Sequence, residues 1–130
     1  MSVDSIGNFL ASMRNVLARA GKSVSVPYSS MKHRIAEVLK SEGYLRDIQV
    51  SGEGIEKKLT LFFKYVENES VIHSINQISK PGRRIYVNVS SIPTVIGGLG
   101  IAVMTTNKGV MTNKQAKDNG IGGEIVCTVW

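Results

Sequence analysis

The sequence predicts an α+β protein of two small lobes packed together. The N-terminal lobe reads helix-strand-helix-strand-strand, and the C-terminal lobe reads as mostly antiparallel β with short helices. Three observations predict this. Apolar residues recur at helical spacing near the start, they alternate with period two in the middle, and turn residues then cut the remainder into strand-sized runs. A length of 130 residues with 42% apolar content suffices for a packed core, with a seam at Glu67-Asn68-Glu69-Ser70 dividing lobes 1–67 and 68–130.

Asp4 or Ser5 is positioned to cap a first helix, in which Ile6, Phe9, Leu10, Met13, Val16, Leu17 and Ala20 share one face and Gly21 is the stop. Arg14 and Arg19 fall on its solvent side. The extended piece Val24-Ser25-Val26 runs into Pro27, whose missing N–H favours an edge. Ser29 or Ser30 then caps a second helix, with Met31, Ile35, Val38 and Leu39 on one face and Gly43 at its end. Tyr44 to Val50 and Lys57 to Val66 read as antiparallel strands joined through Ser51-Gly52-Glu53-Gly54, with Leu59, Leu61, Phe63 and Tyr65 pointing inward.

Beyond the seam, strands are expected at 71–78 and 83–89, hinged by Lys80-Pro81-Gly82. Ile92 to Ile96 is expected as a short helix and Ile101 to Thr105 as a strand. Thr112-Asn113-Lys114-Gln115 has the capping-box pattern of a helix that fades at Asn119-Gly120, and Glu124 to Val129 reads as a closing strand.

Charge is distributed in blocks. Residues 70–117 hold six Lys/Arg and no Asp or Glu; residues 1–36 hold five against Asp4; residues 37–69 hold five against seven acids. The net +6 therefore sits in two basic blocks around an acidic middle, a pattern suited to a polyanion partner. No apolar run approaches a membrane span. Met1-Ser2-Val3-Asp4 lacks a charged region followed by an apolar stretch, so no secretion signal is read and a reduced, cytoplasmic compartment is expected. The single Cys127 excludes an intrachain disulfide, and its apolar neighbours make it a buried structural thiol. His33 and His73 have no Ser/Asp partner in a recognisable motif, and no metal-ligand spacing occurs. Neither a catalytic residue, a cofactor nor a metal is expected.

The glycine runs carry little. Gly97-Gly98-Leu99-Gly100 lacks the ending of a phosphate-binding loop and fails the dinucleotide fingerprint at Val103; it is read as a turn. Gly120-Ile121-Gly122-Gly123 is read as positive-φ turns, with Gly122 and Gly123 letting backbone approach a ligand. The polar loop Thr105-Thr106-Asn107-Lys108-Gly109 is the better candidate. Its hydroxyl and amide groups donate and accept toward ribose hydroxyls and base edges, Lys108 adds a charge for phosphate, and a helix N-terminus follows. Arg84 and Tyr86 supply a guanidinium and a stacking plane, although Tyr86 is equally readable as half-core.

The runs Ser79-Lys80-Pro81-Gly82-Arg83-Arg84-Ile85-Tyr86, Gly97-Gly98-Leu99-Gly100-Ile101-Ala102-Val103 and Thr105-Thr106-Asn107-Lys108-Gly109-Val110-Met111-Thr112, with Gly122-Gly123-Glu124-Ile125, closely resemble bacterial small-subunit ribosomal protein eight. The resemblance runs nearly end to end and includes Pro27-Tyr28-Ser29-Ser30. It implies a non-enzymatic protein that binds the central domain of small-subunit ribosomal RNA, beside neighbouring ribosomal proteins. The C-terminal lobe of that family docks on a distorted RNA helix. In some members the same surface binds a matching hairpin in messenger RNA and represses translation. The family loop Ser-Thr-Ser-Lys-Gly maps onto Thr105, Thr106, Asn107, Lys108 and Gly109, with departures at 105 and 107. Tyr86 and Glu124 match RNA-contact positions, and Ser30 and Lys32 match a secondary contact region of the N-terminal lobe. Two rivals stand beside this reading: a small nucleotide-binding enzyme using the glycine-rich lobe, and a nonspecific basic binder of nucleic acid.

Overall fold

The computed structural model describes residues 4–130, and the expectation placed on Met1-Ser2-Val3 lies outside them. The chain forms two compact units. One runs from Asn8 to Ile72; the other comprises His73 to Trp130 together with the chain start up to Gly7.

In the Asn8–Ile72 unit, helix α1 (Ser5–Ala18) supplies Phe9, Leu10, Met13 and Val16, all buried. Its stop differs from the expected one. Ala20, not Gly21, takes the left-handed conformation at φ 55°, while the Gly21 N–H reaches back to the Val16 carbonyl at 2.9 Å. Gly21 is needed because a Cβ there would meet the Val16 side chain at 2.5 Å. Strand β1 (Ser23–Pro27) is the expected edge strand, followed by α2 (Ser30–Ser41), β2 (Leu45–Ser51) and β3 (Lys58–Phe63) in the antiparallel order β1-β3-β2. Ser29 caps α2 by accepting from the Lys32 N–H at 3.2 Å. Ile35, Ala36 and Leu39 of α2 are buried, as are Leu59, Leu61 and Phe63 on alternate positions of β3. Tyr65 is half-buried, its hydroxyl donating to the Gly21 carbonyl at 2.6 Å.

Residues 67–70, read as a seam, form part of a hairpin inside this unit. Strands β4 (Tyr65–Val66) and β5 (Glu69–Ser70) pair across a turn in which Glu67 and Asn68 have φ of 52° and 65°.

In the other unit, β6 (Ile75–Gln77), β7 (Tyr86–Val87), β8 (Ile101–Thr106), β9 (Gly109–Thr112) and β10 (Gly123–Val129) form one antiparallel sheet. β10 is its centre. Along one edge it pairs with β8; along the other its first residues pair with β7 and its last with β6. Helix α3 (Asn113–Asp118) carries the expected capping box between Thr112 and Gln115. One core packs Ile92, Val95, Ala102, Met104, Ala116 and Ile125 together. Asp4 ties the chain start to this unit, accepting from Gly7 N at 2.8 Å and Gln77 Nε2 at 2.7 Å. The Gln77 hydrogen bond is the main reason its carboxyl titrates below the usual range.

The strands expected at 71–78 and 83–89 shrink to three and two paired residues, beside which the Ile78 N–H donates to the Val126 carbonyl and the Ile85 carbonyl accepts from the Ile125 N–H, each at 3.0 Å. Between them Lys80 and Arg83 exchange both backbone hydrogen bonds, the expected Pro-Gly hinge. No helix forms over 92–96. Ile92 and Val95 are buried, while Ile96 takes φ 45°, a turn conformation incompatible with a continuing helix. Instead the Pro93 carbonyl accepts from the Asn113 amide at 3.0 Å.

The tightest fit in the sheet lies at the start of β10. A Cβ on Gly123 would strike the Thr105 carbonyl oxygen, and one on Gly122 the Val87 carbonyl oxygen. Gly123→Ala is therefore expected to cost about 1–3 kcal/mol in urea unfolding. Gly82→Ala, where a Cβ meets nothing, should stay within about 0.5 kcal/mol. Equal costs would remove strand approach as the reason for Gly123.

Candidate nucleic-acid interface

The register of the sheet assembles a row of side chains. Tyr86 of β7 is paired with Glu124 of β10, Glu124 with Thr105 of β8, and Thr105 with Val110 of β9. Directly paired residues share a face, so one line across four strands carries an aromatic ring, a carboxylate, a hydroxyl and an isopropyl group. The sequence separations within this row reach 38 residues, between Tyr86 and Glu124.

Tyr86 is 69% exposed, which resolves its reading in favour of a surface ring rather than core. Glu124, the charged residue of the row, is 15% exposed, and its Oε2 accepts from Arg84 Nη1 at 3.2 Å. The pair offsets much of the Arg84 charge locally. The Thr105 Oγ1 is buried and has no hydrogen-bond partner among the described residues. Buried hydroxyls are normally satisfied; because this one is covered, a ligand reaches it only after the side chains over it move.

The loop tip is a tight hairpin. Thr106 pairs with Gly109, leaving Asn107 and Lys108 as its exposed apex. Gly109 supplies the positive φ, 110°. The Thr106 hydroxyl is fully engaged, donating to the Gly109 carbonyl at 2.9 Å and accepting from the Lys108 N–H at 3.1 Å. Thr106 therefore shapes the tip, while Asn107 and Lys108 present side chains with no partner among the described residues. The expected contribution of a helix N-terminus is corrected. Strand β9 was not foreseen, and its four residues separate the tip from α3 by roughly 13 Å at about 3.3 Å per residue. Two apolar runs flanking a polar pair and a glycine were the hairpin signal available in the sequence.

Within the run read as positive-φ turns, Gly120 has φ 67° whereas Gly122 and Gly123 do not take positive φ, and each of the latter two packs against the neighbouring strand's carbonyl. Ser30 and Lys32 lie in the Asn8–Ile72 unit. Ser30 is exposed at the start of α2, whereas Lys32 is 9% exposed and its ammonium donates to the Pro27 carbonyl at 3.2 Å. The His33 ring is held between the Tyr28 hydroxyl at 3.2 Å and Glu37 at 3.1 Å.

Among the described residues no group of His, Cys, Asp and Glu side chains is placed to hold a metal ion. No helix among them is long and apolar enough to cross a membrane.

Comparison with known proteins decides the family. The family model for ribosomal protein S8 matches residues 4–130. The chain belongs to the ribosomal protein S8 family. It is 49% identical over 130 residues to small ribosomal subunit protein uS8 of Spiroplasma kunkelii, covering 100% of both chains. Against uS8 of Agrobacterium fabrum it is 47% identical over 128 residues, 98% of this chain and 97% of the relative. Against uS8 of Dictyoglomus turgidum the identity is 46% over 127 residues, with the same coverage of 98% and 97%. The family consists of structural, non-enzymatic proteins.

The one thiol fits that description. Burial pushes Cys127 up to about 12, so at pH 8 the reactive thiolate is on the order of one part in ten thousand. Iodoacetamide at pH 8 is expected to leave the native protein unmodified and to alkylate it fully in urea. Rapid native alkylation would contradict the buried position of β10.

Proposed function

We propose that the protein is a structural constituent of the small ribosomal subunit, among neighbouring ribosomal proteins in the cytoplasm, and that it binds the central domain of the small-subunit RNA directly. The observation that carries this reading is the exposed Tyr86 ring in one register row with Glu124 and Thr105, beside a hairpin whose apex bears Asn107 and Lys108. Family membership supplies the ribosomal setting.

Each group has a distinct task. The Tyr86 ring offers a face on which an unstacked base rests, a contact worth about 1–3 kcal/mol. The Asn107 amide, and Thr105 Oγ1 once uncovered, donate to or accept from ribose hydroxyls and base edges. Glu124, paired with Arg84, accepts from an exocyclic amino group or a 2′-OH. Lys108 contacts a phosphate as a flexible point charge. Recognition is thus by the shape of a deformed helix plus a few polar contacts, with no chemical step. A messenger RNA hairpin of matching shape would compete for the same row, which is how the protein would also act as a translational repressor.

The reading predicts a split between affinity and specificity. In filter binding at fixed salt, Tyr86→Ala and Asn107→Ala should weaken binding to the central-domain fragment by about tenfold or more, and binding to an unstructured RNA of equal length much less. Equal losses on both would favour nonspecific charge binding. Lys108→Ala should instead reduce the slope of log K against log salt by roughly 0.7 to 0.9. Arg84→Ala should change the slope less, because its charge is already offset by Glu124. No preference for the folded fragment in the unaltered protein would end the proposal.

A further inference from the structure

The Asn8–Ile72 unit contains a cleft that the ribosomal RNA interface does not use. Its volume is about 490 Å³, and it is lined by Ala20, Lys22, Arg46, Phe63, Tyr65 and Asn68. Small-molecule sites span roughly 300–1,000 Å³, so the cleft has the capacity of one nucleotide-sized ligand. Its lining combines two cations, an amide and two aromatic rings, without a carboxylate.

Three features mark this cleft as built. Arg46 is the extra residue of a β-bulge. The register passes from Leu45 opposite Phe63 to Asp47 opposite Phe62, leaving Arg46 unopposed. Bulges re-aim side chains and recur beside functional sites. The Arg46 guanidinium stands 5.2 Å from the centroid of the Phe62 ring. Its acidic neighbour Asp47 pairs with Lys40 at 3.2 Å and interacts with the Arg46 charge at longer range. Neither Arg46 nor Lys22 has an ion-pair partner among the described residues. Second, the wall includes Ala20, whose φ of 55° ends α1 and turns the chain along the cleft toward Lys22. Third, the Tyr65 hydroxyl is anchored on the Gly21 carbonyl at 2.6 Å, which fixes the phenol ring as a wall and leaves its apolar body to the cleft.

We infer that this cleft binds a single nucleotide, its base against the Tyr65 ring and its phosphate toward Lys22 and Arg46. An apolar ligand would leave two cations without a counter-charge, and a bare phosphate would leave the aromatic wall unused. The Asn68 amide adds a donor and an acceptor for a base edge. The same chemistry describes a free mononucleotide and a nucleotide unstacked from an RNA strand.

The test is a titration of the full, ¹⁵N-labelled chain with AMP, UMP, inorganic phosphate and the trinucleotides AAA and UUU, following the amides of Lys22, Arg46 and Asn68. Saturable shifts with a mononucleotide or a trinucleotide are expected, with inorganic phosphate at least about tenfold weaker. Saturation by a mononucleotide assigns a free ligand, and saturation by the trinucleotide alone assigns an RNA strand. The double variant Lys22→Ala, Arg46→Ala should weaken binding at least about tenfold with the remaining spectrum unchanged. Both side chains belong to exposed residues; Arg46→Gln, which keeps much of the stem, repeats the measurement should the double variant lose dispersion. Absence of saturable shifts at millimolar ligand, undiminished binding by the variants, or equal binding of inorganic phosphate overturns the inference. None of these readouts involves Tyr86, Thr105 or the hairpin apex, so failure here leaves the ribosomal RNA reading to its own test.

Discussion

The C-terminal unit depends on one strand being hydrogen-bonded along both edges. Residues 123–129 pair with Ile101–Thr105 on one side and with two short segments on the other. Neither short segment has enough residues to be a stable strand alone. They become strands by satisfying the backbone groups of β10, and β10 in turn becomes a central strand because they do. The absence of side chains at 122 and 123 permits that closeness, since neighbouring carbonyl oxygens occupy the space a Cβ would need. Without this approach, Tyr86 and Thr105 would not flank Glu124, and the surface row would not exist.

Charge plays a smaller part in this surface than its composition suggests. The basic block 70–117 lacks acids, but Arg84 is held by Glu124 from beyond the block and the Lys114 ammonium is spent on the Gly98 carbonyl at 2.9 Å. The free cation at the hairpin apex is Lys108. Discrimination therefore falls to groups that make directional contacts: a ring, an amide and a hydroxyl with no internal partner. The Thr106 hydroxyl, bonded twice within its turn, contributes rigidity that keeps the apex in one geometry before binding.

Several features were legible in particular residues. Period-two alternation at Leu59, Leu61 and Phe63 marked a strand, Thr112 and Gln115 marked a helix start, and Pro81-Gly82 marked a hinge, because each is a local interaction within a few residues. Features set by distant partners were not legible. The length of β7, the existence of β9 and the non-helical path of Ile92–Ile96 follow from what lies opposite: β10, β8 and the buried Asn113. The Lys32 ammonium, read as a surface contact, is turned inward to the Pro27 carbonyl, a choice no spacing rule encodes.

The sequence by itself determined the α+β class, the order of most elements, the acid-free block and the family. These are written in local periodicity, capping patterns and composition. Tertiary structure alone decided which groups stand together: Tyr86, Glu124 and Thr105 in one row, Arg84 offset by a carboxylate 40 residues away, and a bulged Arg46 turned into a cleft. Hydrogen-bond register and steric approach between strands act across the chain, so their outcome exists only once the strands have met.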